Sequence, residues 1–243
     1  MVKRRFLAVL LVLSILPRVS SQEKNPLEGI DINKVLMHLD WAKMTYFDAQ
    51  NKEVVLDNNT DRVVFMGNSI TQGWAKYMPE MFDNQTYINR GIGGQTTPQM
   101  LLRFRQDVIA LQPKIVVILA GTNDIAGNTP LKDLETVAGH LFSMAELARA
   151  HGIKVILSSV IPAAEYPWRK GKNPDVKIPQ LNRMIQNYCL ENDFYYLDYF
   201  RVMSDDKNGL IESYGYDGVH PNKEGYGVMT QYVKKAIDHL LEK

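Results

Sequence analysis

Two short stretches carry residue types that could do chemistry together. Gly67-Asn68-Ser69-Ile70-Thr71 follows the apolar run Val63-Val64-Phe65-Met66, and Asp217-Gly218-Val219-His220-Pro221 stands near the C-terminus. A serine hydroxyl is inert at neutral pH unless a base takes its proton. Imidazole titrates near neutrality and is the natural base. A carboxylate three residues before the histidine can accept its ring N–H, fix the tautomer and stabilise the imidazolium as it forms. Ser69 is therefore the expected nucleophile, His220 its base and Asp217 the partner of that base. Pro221 suits the first turn of a following helix, since it lacks an N–H and has a preset φ.

Attack on an ester carbonyl develops an oxyanion, which needs donors already in place. Gly91-Ile92-Gly93-Gly94 and Gly121-Thr122-Asn123-Asp124 both follow strand-like runs. The expected donors are the Ser69 backbone N–H, the Gly94 backbone N–H and the Asn123 side-chain amide. Glycine lets the backbone approach closely, and asparagine donates without titrating. Each block alone has an ordinary explanation as a cap or turn. Two other readings fail locally. Thr96 stands where a dinucleotide fingerprint needs its third glycine, and Thr71 stands where a Gly-x-Ser-x-Gly elbow needs its last. His38, His140, His151 and His239 fall in helix-like stretches or at their ends and read as structural or exposed.

Such residues need a scaffold that gathers them. Strand-like runs at 63–66, 87–89, 115–120, 155–160 and 195–197 alternate with helix-like stretches at 98–111, 130–151, 177–192 and 222–241. The third and fourth runs are almost wholly apolar and rich in Val and Ile, as strands buried on both faces are. The alternation predicts an α/β fold: a three-layer α/β/α sandwich around roughly five parallel strands. In such sheets a site lies beyond the carboxyl ends of the strands. Ser69, Gly94 and Asn123 each follow a strand, and the Asp217–His220 loop precedes the last helix. Residues 33–47 also show helical spacing, through Val35, Leu36, Leu39, Trp41 and Met44.

The N-terminus reads as a secretory signal over residues 1–21: Lys3-Arg4-Arg5, an apolar run from Phe6 to Leu16, then Val19-Ser20-Ser21. A membrane anchor is the alternative, but the run is shorter than the roughly 20 residues that span a bilayer. Residues 22–61 then form a lead-in and helix, and 62–243 the main domain. Cleavage after Ser21 removes four of 28 basic residues and leaves 24 against 27 acidic, a charge of −3. Nothing in that balance or its distribution calls for nucleic acid. The expected location is periplasmic or extracellular, with no transmembrane segment after cleavage. Cys189 is the only cysteine, so an intramolecular disulfide cannot form. Asn58-Asn59-Thr60 and Asn84-Gln85-Thr86 fit the glycosylation sequon.

Taken together, the four blocks resemble the SGNH, or GDSL, hydrolase superfamily over roughly Arg62 to the C-terminus. Gly67–Thr71 is similar to its first block, Gly94 falls at its oxyanion glycine, Gly121–Asp124 is similar to its third block, and Asp217–Pro221 to its last. The resemblance implies a flavodoxin-like fold and a metal-independent ester hydrolase without cofactor, working through an acyl-enzyme on Ser69. It departs from the family at Asn68, where aspartate is common. Asn68 can still cap the turn.

Substrate choice is expected on loops. Residues 163–175 hold Glu165, Tyr166, Trp168, Arg169 and Lys170 after the fourth strand. Trp74, Arg90, Trp168 and Tyr216 are the candidate substrate-binding residues, with Tyr214 beside the last. The favoured substrate is a short acyl group, most simply acetyl, on a carbohydrate. The alternatives are lipid acyl esters, as for a lysophospholipase or thioesterase, and a non-catalytic binding module. The sequence leaves the natural ester and the oligomeric state open.

Overall fold

A computed structural model of the chain describes residue 31 and residues 40–56, 61–83, 86–130 and 133–242. The expected signal, the sequon asparagines and the first half of the 33–47 helix lie outside the described residues. Contacts divide the chain into two units, Met1–Leu39 and Asp40–Lys243. In the first, only Asp31, an exposed residue, is described.

Five parallel strands form one sheet: β1 (Val63–Gly67), β2 (Tyr87–Gly91), β3 (Ile115–Leu119), β4 (Lys154–Ser158) and β5 (Tyr195–Leu197), in the order β2-β1-β3-β4-β5. Side chains alternate across a strand, so each strand feeds two cores. Val64, Met66, Val116, Ile118, Val155 and Leu157 join one cluster; Val63, Phe65, Ile115, Val117, Leu119 and Ile156 join the other. The first cluster is closed by α3 (Thr97–Asp107), α4 (Thr122–Ala126), α5 (Leu134–Ala150) and α6 (Pro174–Glu191). The second is closed by α2 (Ser69–Tyr77), α7 (Tyr199–Met203) and α8 (Lys223–Leu241). The result is the expected α/β/α sandwich. One further helix, α1 (Asp48–Leu56), precedes β1. Cys189 is buried on α6, where burial pushes its thiol up to about 12.

The strand order reverses between β1 and β3, the place where such sheets open a crevice. Arg103, fully buried on α3, ties the strand ends there together. Its guanidinium donates to the carbonyls of Gly67 (3.2 Å) and Arg90 (2.9 Å), to Gln95 Oε1 (2.6 Å) and to Asp107 (2.9 Å). Gly91 ends β2 directly beneath the first turn of α2; a Cβ there would lie 2.2 Å from the Gln72 nitrogen.

Residues 40–47 are not helical, contrary to their apolar spacing. The Asp40 carboxylate accepts the Met44 N–H at 2.8 Å, and Lys43 has φ +52. The carbonyls of Trp41, Ala42 and Met44 accept from the side-chain amides of Gln99, Gln95 and Gln106. Tertiary bonds thus replace the helical ladder, and the segment lies as a strap over α3. Helix α2 is a second departure: a nine-residue helix begins at Ser69, where no element is expected from the sequence.

Candidate active site

Asn68 and Ser69 divide the work at the start of α2. Asn68 is the N-cap, and its Oδ1 accepts the Ile70 N–H at 2.9 Å, so amide serves here as carboxylate would. Ser69 becomes the first helical residue. Its backbone N–H therefore has no partner within the helix and sits at the positive end of the helix dipole.

The Ser69 Oγ lies 3.0 Å from His220 Nε2, across 151 residues of sequence. His220 Nδ1 lies 2.7 Å from Asp217 Oδ2. Asp217 Oδ1 accepts the backbone N–H groups of His220 (2.7 Å) and Val219 (3.0 Å). Partial burial raises the Asp217 pKa, but these bonds from His220 and Val219 outweigh it and hold the carboxyl below its ordinary value. A carboxylate at Nδ1 keeps that nitrogen protonated and leaves Nε2 free to accept. Hydroxyl, imidazole and carboxylate in this series can pass a proton from oxygen to nitrogen while the carboxylate supports the resulting charge. Pro221 falls one residue before the Asn222 N-cap of α8 rather than in its first turn, and forms an isolated bridge with Gly215.

Gly94 has φ +78, a conformation that favours glycine. Its carbonyl accepts from Asn128 Nδ2 at 3.0 Å, which fixes the tilt of the loop. The neighbouring Gly93 N–H is engaged by Gln72 Oε1 at 3.0 Å. Among the described residues nothing engages the N–H of Gly94. Asn123 is buried, and one of its two amide hydrogens goes to the Gln95 carbonyl at 2.9 Å. Among the described residues nothing engages the other.

The four candidate substrate-binding residues part company. Trp168 and Tyr216 are 47% and 62% exposed. Their rings lie on His220, each with its centroid 5.7 Å from the imidazole, Tyr216 stacked and Trp168 tilted. Trp74 is a core residue instead: it is buried among Phe65, Tyr199 and Tyr226, and its Nε1 donates to Thr230 Oγ1 at 2.9 Å. Arg90 is also buried. It donates to Asn51 Oδ1 at 2.9 Å and lies on the Phe47 ring. Burial lowers its pKa to about 10, with Asp107 opposing and Arg103 adding to the shift. Neither offers a surface to substrate. In the 163–175 loop, Tyr166 is buried with its hydroxyl 2.9 Å from Thr122 Oγ1, and Arg169 donates to the carbonyls of Ala126 and Gly127.

Sequence reasoning missed Gln95, whose carbonyl holds Asn123, whose Oε1 holds Arg103 and whose Nε2 holds the strap at Ala42. It also missed a chain from Asp124 through Thr97 to His140. Gln95 was visible only as one residue after Gly94; its side chain acts through tertiary contacts that no local pattern encodes. Among the described residues, no three His, Cys, Asp or Glu side chains gather where a metal ion could be held. Nor is any described helix long and apolar enough to cross a membrane.

Residues 65–228 match the family described as GDSL-like Lipase/Acylhydrolase, and the chain belongs to it. A GDSL-like lipase of solved structure from Bacteroides thetaiotaomicron is 45% identical, superposes with a TM-score of 0.79, and is covered over 82% of this chain and 98% of its own. The human platelet-activating factor acetylhydrolase IB subunit alpha2 is 27% identical over 208 residues, 80% of this chain and 84% of that protein. An acetylxylan esterase from Xylanibacter ruminicola is 28% identical over 213 residues, 72% of this chain but 43% of the relative. An uncharacterized Bacillus subtilis lipoprotein is 42% identical over 85 residues, and the chain spans 35% of its length. The protein is a carboxylic ester hydrolase of the acylhydrolase class.

Proposed function

We propose that the protein is an exported serine esterase that removes short acyl groups, most simply acetyl, from carbohydrate. The observation that carries the catalytic part is the Ser69–His220–Asp217 series at 3.0 and 2.7 Å. Ser69 Oγ attacks the ester carbonyl carbon while His220 Nε2 takes its proton. The oxyanion accepts from the Ser69 and Gly94 backbone N–H groups and the free Asn123 amide hydrogen. His220 then protonates the departing alcohol. Water enters, loses a proton to His220 and attacks the acyl-enzyme, which releases the acid and restores Ser69.

The carbohydrate reading rests on Trp168 and Tyr216. Two exposed rings with polar tips flank the imidazole, and such amphipathic faces suit a sugar ring whose hydroxyls stay wet. The relationship to an acetylxylan esterase favours the same class, and the acetylhydrolase relative favours a short acyl group. Export is supported by the basic-then-apolar N-terminus and by the lipoprotein relative. N-terminal sequencing of the mature protein should find Gln22 first.

The test is hydrolysis of p-nitrophenyl esters from acetate to palmitate, and of acetylated xylo-oligosaccharides, by wild type and Ser69→Ala. Serine-dependent activity on acetate and on the acetylated sugar supports the proposal. A maximum at long chains, with the acetylated sugar untouched, would move the substrate to lipids. Folded wild type inactive on every ester would leave a binding role.

A further inference from the structure

The proposed oxyanion donors Gly94 and Asn123 stand on loops that leave different strands, β2 and β3, with β1 between them. A misplacement of about 1 Å in such a site costs on the order of 100-fold in rate, so something must hold the loops in register. Asn123 Nδ2 reaches the Gln95 carbonyl, Asn128 Nδ2 the Gly94 carbonyl, and Thr129 Oγ1 reaches Thr96 Oγ1 at 3.2 Å. The remaining bridge is the Asp124 carboxylate. It accepts the Thr97 backbone N–H at 3.0 and 3.1 Å and the Thr97 hydroxyl at 2.7 Å. Thr97 opens α3, three residues after Gly94, and Asp124 adjoins Asn123. Both side chains are buried, Asp124 to 3% exposure. This bridge alone carries formal charge, and hydrogen bonds to a charged group are the stronger ones.

Thr97 Oγ1 also lies 3.0 Å from His140 Nδ1. A hydroxyl has one hydrogen to give. With that hydrogen on the Asp124 carboxylate, the contact to His140 is made only if Nδ1 carries the proton and donates. The chain therefore runs from His140 Nδ1–H to Thr97 O–H to the carboxylate.

We infer that Asp124 is a positioning residue for ester hydrolysis: with Thr97 it clamps the Gly94 loop to the Asn123 loop, and His140 closes the chain behind it. The inference rests on the proposal that Gly94 and Asn123 hold the oxyanion. His140 and Asp133 line a cavity with the carboxylate; elsewhere along α4 the Tyr166 phenol lies against Thr122, and Arg169 donates to the carbonyls of Ala126 and Gly127. Among the described residues none of these donates directly to Asp124, so Thr97 is its link to the second loop.

The experiment combines steady-state kinetics on p-nitrophenyl acetate with ¹⁵N NMR of the His140 ring at pH 8. It compares wild type with Asp124→Ala, Thr97→Val, Thr97→Ser and Asn123→Ala, each checked for native circular dichroism. Wild type should show His140 protonated on Nδ1. In Asp124→Ala the freed Thr97 hydroxyl donates to Nδ1 and the proton moves to Nε2. Asp124→Ala should lose roughly 10- to 100-fold in kcat with KM within about 3-fold. Thr97→Val should lose part of that, and Thr97→Ser should recover it. Loss in Asn123→Ala, with wild-type kcat in Asp124→Ala and Thr97→Val, overturns the clamp alone. A wild-type rate in Asn123→Ala overturns the oxyanion assignment. His140 already protonated on Nε2 in wild type overturns the chain. If Asp124→Ala does not fold, the Thr97→Val and Thr97→Ser pair decides.

Discussion

Asp217 grips His220 at two points. One carboxylate oxygen lies 2.7 Å from the ring Nδ1 and the other 2.7 Å from the backbone nitrogen of the same residue. Asp217→Asn keeps an oxygen for the backbone but turns an NH2 toward Nδ1. The imidazole must then carry its proton on Nε2, facing Ser69. We expect kcat to fall about 10⁴-fold, as where a triad tautomer is wrong, with thermal unfolding within a few degrees of wild type. Because the carboxyl is held below its ordinary value, its stabilisation is full above the unfolded pKa and is lost as pH falls through the folded one. The melting difference between wild type and Asp217→Asn should therefore persist from neutrality down to pH 4 and shrink below it.

The two proposed loop donors should fail differently. Asn123→Ala removes an amide hydrogen and should cost roughly 100- to 1,000-fold in kcat. Gly94→Ala adds a Cβ whose nearest neighbour is 3.9 Å away, so sterics are not the difficulty. The difficulty is the φ of +78: holding alanine there costs about 1 kcal/mol. If the loop relaxes instead, the N–H turns away. Reduced kcat at near-constant KM for p-nitrophenyl acetate checks both variants.

Trp168→Ala and Tyr216→Ala separate the proposed sugar binding from chemistry. On acetylated xylo-oligosaccharide each should lower kcat/KM about 10-fold, the scale of one aromatic contact. On p-nitrophenyl acetate each should stay within a few-fold. Equal losses on both substrates would mean that the rings serve His220 rather than the sugar.

Burial pushes Asp124 up to about 6, against the pull of the Thr97 bonds. A carboxyl raised in the folded state binds its proton more tightly there than in the unfolded chain. Stability then falls as pH rises from the unfolded value through about 6. Wild type should gain on the order of 1 kcal/mol relative to Asp124→Asn between pH 7 and pH 5. Denaturant unfolding of both proteins at the two values measures it, and a constant difference would refute the shift.

The sheet was legible because β1 and β3 are apolar runs, β4 is one after its first residue, and all five strands alternate with helix-like stretches; each begins and ends within two residues of the observed bounds. The candidates Ser69, Gly94, Asn123, Asp217 and His220 stood out for a related reason: they stand next to those strands or the last helix. Trp74 and Arg90 misled because proximity in sequence to Ser69 and Gly91 says nothing about which way a side chain turns. Trp74 lies on the core face of α2, and Arg90 lies on β2 against Phe47. The strap failed for the opposite reason. Its periodicity was genuine, but glutamines far along the chain took its carbonyls. Residues 48–56 and 69–77 were not expected as helices: the first has no apolar stripe, and the second spans only nine residues, with Ile70, Thr71 and Trp74 as its buried positions.

The lone thiol has a practical corollary. Cys189 is sealed inside α6 with its ionisation pushed to about 12, so thiol-directed dyes and spin probes should leave the native enzyme unlabelled. A cysteine introduced at an exposed position such as Tyr216 would then be the single attachment point for a fluorophore. The enzyme could report ligand arrival beside His220 optically, with no background residue to remove first.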